Sequence, residues 1–198
     1  MTEEKDFKED MQALEHAFKE KIDAFVEQSD QIQKGDKEKY KTMFYQTAIQ
    51  GEPLQEAFGF SQELMEALYS QAYQLYNNGQ YALANQAFRS LIALNQYDTR
   101  YHLGLAASYH MLKDFDNAIT VYVGWAVLDH DNPLPYYHAA DCCLQMKNEI
   151  GALLLLNLAI ERCSDEKPLE KLKNRAISMR DELDKNIKKE AKKDASKK

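Results

Sequence analysis

Residues 67–94 read ALYSQAYQLYNNGQYALANQAFRSLIAL, two apolar stretches joined by the polar turn NNGQ. The same arrangement returns twice at intervals of 34 residues, so that three units begin at Met65, Thr99 and Pro133. Every unit carries alanine at its eighth and twentieth positions, which gives the pairs Ala72 and Ala84, Ala106 and Ala118, and Ala140 and Ala152. This pattern predicts antiparallel helix pairs that stack in a row, with the alanines where helix axes approach closely.

The flanking segments complete the predicted organisation, which is an all-α fold. Residues 1–35 carry an apolar stripe and form an N-terminal helical extension, and residues 36–64 form shorter helices with the means to dimerise. The three repeats span 65–98, 99–132 and 133–166. Residues 167–190 form a helix that caps the last repeat, and residues 191–198 are a flexible Lys-rich tail. The expected architecture is three helix pairs in a superhelical array between N-terminal helices and a C-terminal capping helix.

Composition and charge exclude several classes of protein. The chain has 198 residues with 25 Lys and Arg against 32 Asp and Glu, and the last fourteen residues hold seven of the lysines. The acidic body argues against a nucleic-acid partner. The N-terminus is acidic and no apolar run is long enough to span a bilayer, so we predict a cytoplasmic location without stable membrane insertion. Three clustered cysteines are expected to be free thiols.

Catalytic signatures are missing from the sequence. It contains no P-loop spacing, no G-x-S-x-G, no H-E-x-x-H and no Gly-rich dinucleotide turn. The most enzyme-like group is His138, Asp141 and Cys142, because His138 and Cys142 lie four residues apart on one helical face. Two ligands do not make a metal site, and packing in a helical core is the favoured interpretation. We therefore predict no enzymatic activity, no metal and no cofactor.

The first helix of each unit presents an unusually apolar face to the expected concave side of the array. Aromatic bodies with polar rims in such a position suit an extended peptide. For Tyr69, Tyr73 and Tyr76 the alternative is burial against the helix at residues 40–50, and for Tyr81 and Tyr122 a core position is favoured. The residues at concave positions include Tyr69, Tyr73, Tyr76, Leu103, Ala107, His110, Tyr137, Asp141 and Leu144.

The repeats resemble the tetratricopeptide repeat, and one family in particular. The segments DTRYHLGLAA at 98–107 and PLPYYHAADCCL at 133–144 are similar to the class II chaperones of bacterial type III secretion, which guard hydrophobic translocators. The resemblance extends from about Tyr40 to Leu183. It implies pocket positions at Tyr69, Tyr73, Tyr76, Tyr81, Leu94, Tyr101, Leu103, Ala107, Tyr122 and Tyr137.

The resemblance also implies a function and partners. The groove is expected to hold an extended translocator segment through spaced Pro and Leu anchors and to keep the translocator soluble, and a homodimer through the N-terminal helices is a further expectation. The competing interpretation is a general repeat scaffold, which binds a different partner or a C-terminal carboxylate. A carboxylate clamp needs several basic residues on the inner helices. Apart from Arg100, those faces offer few.

Overall fold

A computed structural model of the chain describes residues 2–29, 32–48, 50–164 and 169–195. These ranges contain helices and no strands, which confirms the predicted all-α fold. The side chains of Phe7, Met11, Leu14 and Phe18, from the predicted N-terminal stripe, lie outside the described part. Residues 196–198 of the Lys-rich tail also lie outside it.

Ten α-helices and one 3-10 turn follow one another along the described chain. Helix α1 covers Thr2–Gln28, and the 3-10 turn Lys34–Asp36 leads into α2, Lys37–Ala48, and α3, Leu54–Ala57. The helices of the repeat region are α4 Gln62–Asn77, α5 Tyr81–Leu94, α6 Thr99–Met111, α7 Phe115–Leu128, α8 Pro133–Gln145 and α9 Glu149–Arg162. The last helix, α10, covers Leu169–Ala195 and so extends five residues beyond the predicted capping helix. Neither 27-residue helix, nor any other in the described ranges, is long and apolar enough to cross a membrane.

The chain divides into two compact units. The first comprises Met1–Met65 with Ala93–Asn95, and the second comprises Glu66–Ile92 with Gln96–Lys198. In the first unit α1 packs on α2, where Val26 and Met43 are buried and the rings of Phe25 and Phe44 meet edge to face. The Lys41 ammonium lies 2.9 Å from the Glu27 carboxylate at the same contact. Exposed ion pairs add little to stability, so the apolar side chains hold these helices together.

In the second unit, consecutive helices pack against each other from α6 to α10. One core cluster joins α6, α7 and α8 around Tyr122 and Trp125, and another joins α8, α9 and α10 around Tyr137 and Leu156. Ala176 and Leu183 of α10 are buried in the second cluster, so α10 covers the apolar flank of the last pair. The six alanines at the eighth and twentieth repeat positions are fully buried, as close helix approach requires.

The first helix of each repeat ends in the same tight turn, and two of the three turns are strained. Gly79, Lys113 and Lys147 are 34 residues apart, and all have positive φ, between 59° and 75°. In each turn the backbone N–H of this residue donates to the carbonyl three residues earlier, as Lys113 does to His110. The next N–H donates to the carbonyl five residues earlier, as Asp114 does to Tyr109. This is the Schellman arrangement, in which glycine is preferred.

Replacing the two strained lysines by glycine is expected to stabilise the fold. A residue with a side chain in the left-handed region costs about 1–2 kcal/mol, which glycine avoids. Glycine also has more conformational freedom in the unfolded chain, and this reduces the gain in stability. Lys113→Gly and Lys147→Gly should each raise the free energy of unfolding by roughly 0.5–1 kcal/mol, measured by urea unfolding. The control Lys188→Gly, in the interior of α10, should lower it by a similar amount. A loss of stability in either turn variant would contradict this account.

Candidate functional site

A cavity of about 360 Å³ lies in the second unit, on side chains of five consecutive helices. We call this cavity the groove. Its wall consists mainly of aromatic and aliphatic groups, with one arginine and two histidines among them. The lining residues are Tyr69, Tyr73 and Tyr76 of α4, Phe88 of α5, Arg100, Leu103, Gly104, Ala107, His110 and Met111 of α6, Tyr122 of α7 and His138 of α8.

Three tyrosines form one wall of the groove because their spacing of four and three residues places them on one face of α4. The rings of Tyr69 and Tyr73 are stacked with centroids 6.2 Å apart, and Tyr76 meets Tyr81 edge to face at 5.3 Å. Burial raises the pKa of the Tyr69 and Tyr76 hydroxyls. Both hydroxyls therefore stay neutral near pH 7, and the wall combines apolar ring faces with hydrogen-bonding tips.

Arg100 connects α4 to the start of α6 at the edge of this wall. Its guanidinium donates to Glu66 Oε1 at 2.7 Å and to Asp98 Oδ2 at 2.6 Å, and its carbon lies 4.8 Å from the centroid of the Tyr69 ring. Burial alone would raise the pKa of Asp98, but the hydrogen bonds from Arg100 outweigh it and lower that pKa. The same two carboxylates raise the pKa of Arg100. The arginine is thus a charged and already paired group.

Phe88 and Gly104 form the floor of the groove. The Phe88 side chain is buried, and its ring lies 6.2 Å from that of Tyr69. A methyl group at position 104 would come within 2.3 Å of the Phe88 ring. Any side chain at position 104 would displace that ring, so glycine allows α5 to bring a phenylalanine directly against α6.

Two histidines add polar groups to the groove wall. His110 Nε2 lies 3.3 Å from Asp141 Oδ2, while His110 Nδ1 lies 3.6 Å from Cys142 Sγ. The His138 ring stacks on Tyr122 at 5.5 Å and meets Tyr137 edge to face at 5.6 Å. Burial, followed by the proximity of His110, lowers the pKa of His138. The His138 imidazole is therefore neutral at physiological pH.

The structure brings together part of the predicted set of partner-binding residues. Tyr69, Tyr73, Tyr76, Leu103, Ala107, His110 and Tyr122 line the groove, and Tyr122 does so from the buried position that its place in the repeat predicted.

The other predicted positions lie outside the groove wall for identifiable reasons. Tyr101 is buried beside Tyr69, and Tyr137 belongs to the core cluster of α8, α9 and α10, with Leu144 packed against it. Asp141 faces His110, Tyr81 contacts Tyr76 from the start of α5, and Leu94 is half-buried at the end of that helix. Tyr81 and Asp141 therefore contact lining residues without lining the groove themselves.

Sequence reasoning did not assign four lining residues to the site: Phe88, Gly104, Met111 and His138. Phe88 lies on the second helix of its repeat, whereas the predicted groove residues come mainly from the first helices, and Met111 ends α6. No sequence pattern marks Gly104 as a groove residue, because its role depends on the contact with the Phe88 ring. The arginine at position 100 was recognised on the inner face, but its carboxylate partners were not.

The side chains of His138, Asp141 and Cys142 are packed against neighbours and lack the features of a reactive site. Cys142 is fully buried, and burial raises the pKa of its thiol to about 12. A thiol is nucleophilic and metal-binding as the thiolate, which a pKa in this range disfavours near pH 7. His138 stacks on Tyr122, and no cluster of three metal-ligating side chains occurs among the described residues.

Comparison with known proteins gives consistent relationships over the repeat region. A tetratricopeptide repeat model matches residues 103–132. The low calcium response locus protein H of Yersinia pestis is 36% identical over 119 residues, which cover 60% of this chain and 71% of that protein.

Solved structures agree with the sequence match. The Yersinia enterocolitica type III secretion chaperone SycD, in complex with a peptide of the translocator YopD, has a TM-score of 0.61 and 34% identity, covering 64% of this chain and 97% of that one. SycD has also been solved as an alternative dimer. PcrH in complex with the chaperone-binding region of PopD has a TM-score of 0.62 and 30% identity, covering 65% and 97% of the two chains.

Proposed function

Because the chain belongs to the class II, translocator-binding chaperones of bacterial type III secretion, a family built from tetratricopeptide repeats, we propose that its groove holds an extended segment of a hydrophobic translocator. Binding keeps that translocator soluble and competent for secretion in the bacterial cytoplasm. The groove residues named above are the proposed contact surface. SycD and PcrH, which were solved with translocator segments, support the assignment.

One observation carries the proposal: large apolar groups line an open groove instead of filling a core. Tyr73 is 51% exposed and Leu103 is 39% exposed, and they lie on different helices that face the same cavity. Exposed apolar surface concentrated in a concave site marks a place where a partner docks. Aromatic rings with polar tips favour a peptide, whose side chains and backbone offer both kinds of contact.

The mechanism requires only binding. A translocator has apolar segments that aggregate or insert in the wrong membrane when they are exposed. A groove that takes apolar anchors from an extended segment removes them from water without nucleotide hydrolysis. Because the segment loses conformational freedom, the expected Kd for an isolated peptide is on the order of micromolar, and further contacts of the whole translocator tighten it.

The competing function, capture of a C-terminal carboxylate by a general scaffold, has little support from this site. Among the described residues that line the groove, Arg100 is the one arginine and no lysine occurs, and the Arg100 guanidinium already donates to Glu66 and Asp98. A carboxylate ligand would have to displace these two partners. The groove therefore favours an apolar peptide over an anionic terminus.

Calorimetric titration of the full chain with a peptide that carries spaced Pro and Leu anchors tests the proposal. Tyr73→Ala should weaken binding about tenfold, because a half-exposed aromatic ring contributes roughly 1–2 kcal/mol when a partner covers it. Tyr97→Ala is the matched control, since Tyr97 is also 51% exposed but does not line the groove. Circular dichroism verifies that both variants remain helical. Equal affinities for the two variants would place the binding surface elsewhere.

We also propose a homodimer formed through residues 36–64. In the first unit the rings of Phe58 and Phe60 are stacked at 5.7 Å and exposed, with Gly59 between them at φ 69°. The SycD dimer makes self-association a reasonable expectation for a relative. In light scattering after size exclusion, the parent chain should run as a dimer and a Phe58→Ser, Phe60→Ser variant as a monomer. A dimer in both cases would exclude these rings from the interface.

A further inference from the structure

Two imidazoles stand on an otherwise mainly apolar wall of the groove. His110 reaches it from α6 and His138 from α8, and the His110 side chain is one-quarter exposed. The translocator segment that binds in the groove, which we call the client, would place its apolar anchors against this wall. An ionisable group in this position keeps its remaining contact with water only while the groove is empty.

Charged and titratable groups from several elements surround His138. They are His110 of α6, Tyr122 of α7, Arg175 of α10, and Tyr137 and Asp141 of α8 itself. His110 and Arg175 oppose a positive charge on His138, and Asp141 favours one. Burial is the largest influence and also opposes the charge, so the pKa of His138 is lowered.

The two histidines differ in their nearest charged partner. His110 Nε2 lies 3.3 Å from the Asp141 carboxylate. Because His110 already engages Asp141, a proton on His138 has no second carboxylate among the groups named above. That proton therefore places a poorly compensated charge at the groove wall, where an apolar anchor would remove its water.

We propose that His138 couples client binding to pH: the groove holds its client while this imidazole is neutral and releases it when the imidazole is protonated. This inference rests on the proposed function. The sign follows from linkage, because a client that excludes water disfavours the charged ring and so competes with the proton. Affinity is then constant near and above about pH 7 and falls only as the pH drops through the pKa of His138, which lies below the ordinary histidine value of about 6.5.

The test is the Kd of one peptide for the full chain between about pH 7.5 and 5.0, because the pKa of His138 lies below the ordinary histidine value. The probe carries Pro and Leu anchors, contains no Asp, Glu, His or Cys, has an amidated C-terminus, and bears an N-terminal rhodamine whose emission does not change with pH. Only the chaperone then titrates in this window. The Kd of the parent should rise at least about threefold from the high to the low pH, and by no more than tenfold per pH unit for one proton.

Three variants assign the effect. His138→Gln and His138→Phe, of which the second keeps an aromatic ring beside Tyr122, should bind with a Kd that changes less than about 1.5-fold over the same range. His102→Gln should retain the slope of the parent, since His102 contacts the Gln96 carbonyl and does not line the groove. Circular dichroism at each pH verifies the folded state.

The outcomes separate the two proposals. A parent chain that binds at pH 7.5 with a Kd independent of pH overturns the role of His138 and leaves the proposed function intact. A slope that persists in both His138 variants overturns it as well, and its loss in a His110→Gln variant alone would assign the coupling to His110. A parent chain that does not bind the peptide at any pH contradicts the groove function, and with it this inference.

Discussion

The Phe88→Ala variant is expected to lose about 3–5 kcal/mol of unfolding free energy, the range for removing a phenylalanine from a packed interior. Phe88 is only 1% exposed and lies against Tyr69 on one side and Gly104 on the other. Because Gly104 contributes no side chain, nothing on α6 at that position is able to fill the space that the ring leaves. The loss therefore includes both the transfer of the ring to water and an open void.

Urea unfolding followed by circular dichroism measures this effect, and Trp125 gives a second signal from the same unit. Tyr97→Ala provides the control for an aromatic side chain that is half exposed, and its loss should stay below about 1 kcal/mol. If the Phe88→Ala variant unfolds within 1 kcal/mol of the parent with the same m-value, the ring does not support the groove floor as described.

The Leu103→Glu variant is expected to weaken peptide binding about 100-fold while it remains folded. Leu103 lines the groove and is 39% exposed, so a glutamate there keeps much of its hydration in the free chain. When the peptide docks, that carboxylate must lose its water opposite an apolar anchor. Arg100 lies three residues away but already pairs with Glu66 and Asp98, so it offers weak compensation. Burial of an unpaired charge costs several kcal/mol. This cost is a large part of the binding free energy of a peptide with micromolar Kd, so the variant binds much more weakly.

Calorimetry with the same peptide checks this result against Leu83→Glu. Leu83 is 52% exposed near the start of α5 and does not line the groove, so the same change in charge and size should leave the Kd within about twofold of the parent. Matching thermal unfolding of the two variants shows that the fold is retained. Binding of the Leu103→Glu variant within threefold of the parent would show that the client does not contact this part of α6.

The repeat architecture follows from the sequence because it depends on spacing along the chain. The 34-residue register and its buried alanines are properties that each helix pair carries by itself. The α4 tyrosines share a face for the same reason, since a spacing of three and four residues places side chains together on any helix. The αL turns at Lys113 and Lys147 were less evident, because lysine carries no preference for positive φ.

Tertiary structure alone decided which residues of that inner surface meet in the groove. Tyr101 and Tyr137 have the sequence character of groove residues, but the former is buried beside Tyr69 and the latter in the cluster that α10 completes. Phe88, Gly104 and His138 reach the groove from three helices through contacts between residues 16 or more positions apart. Periodicity specifies the direction of a side chain around its own helix axis, whereas a groove depends on the distance and rotation between helices, which the packing of neighbouring side chains sets.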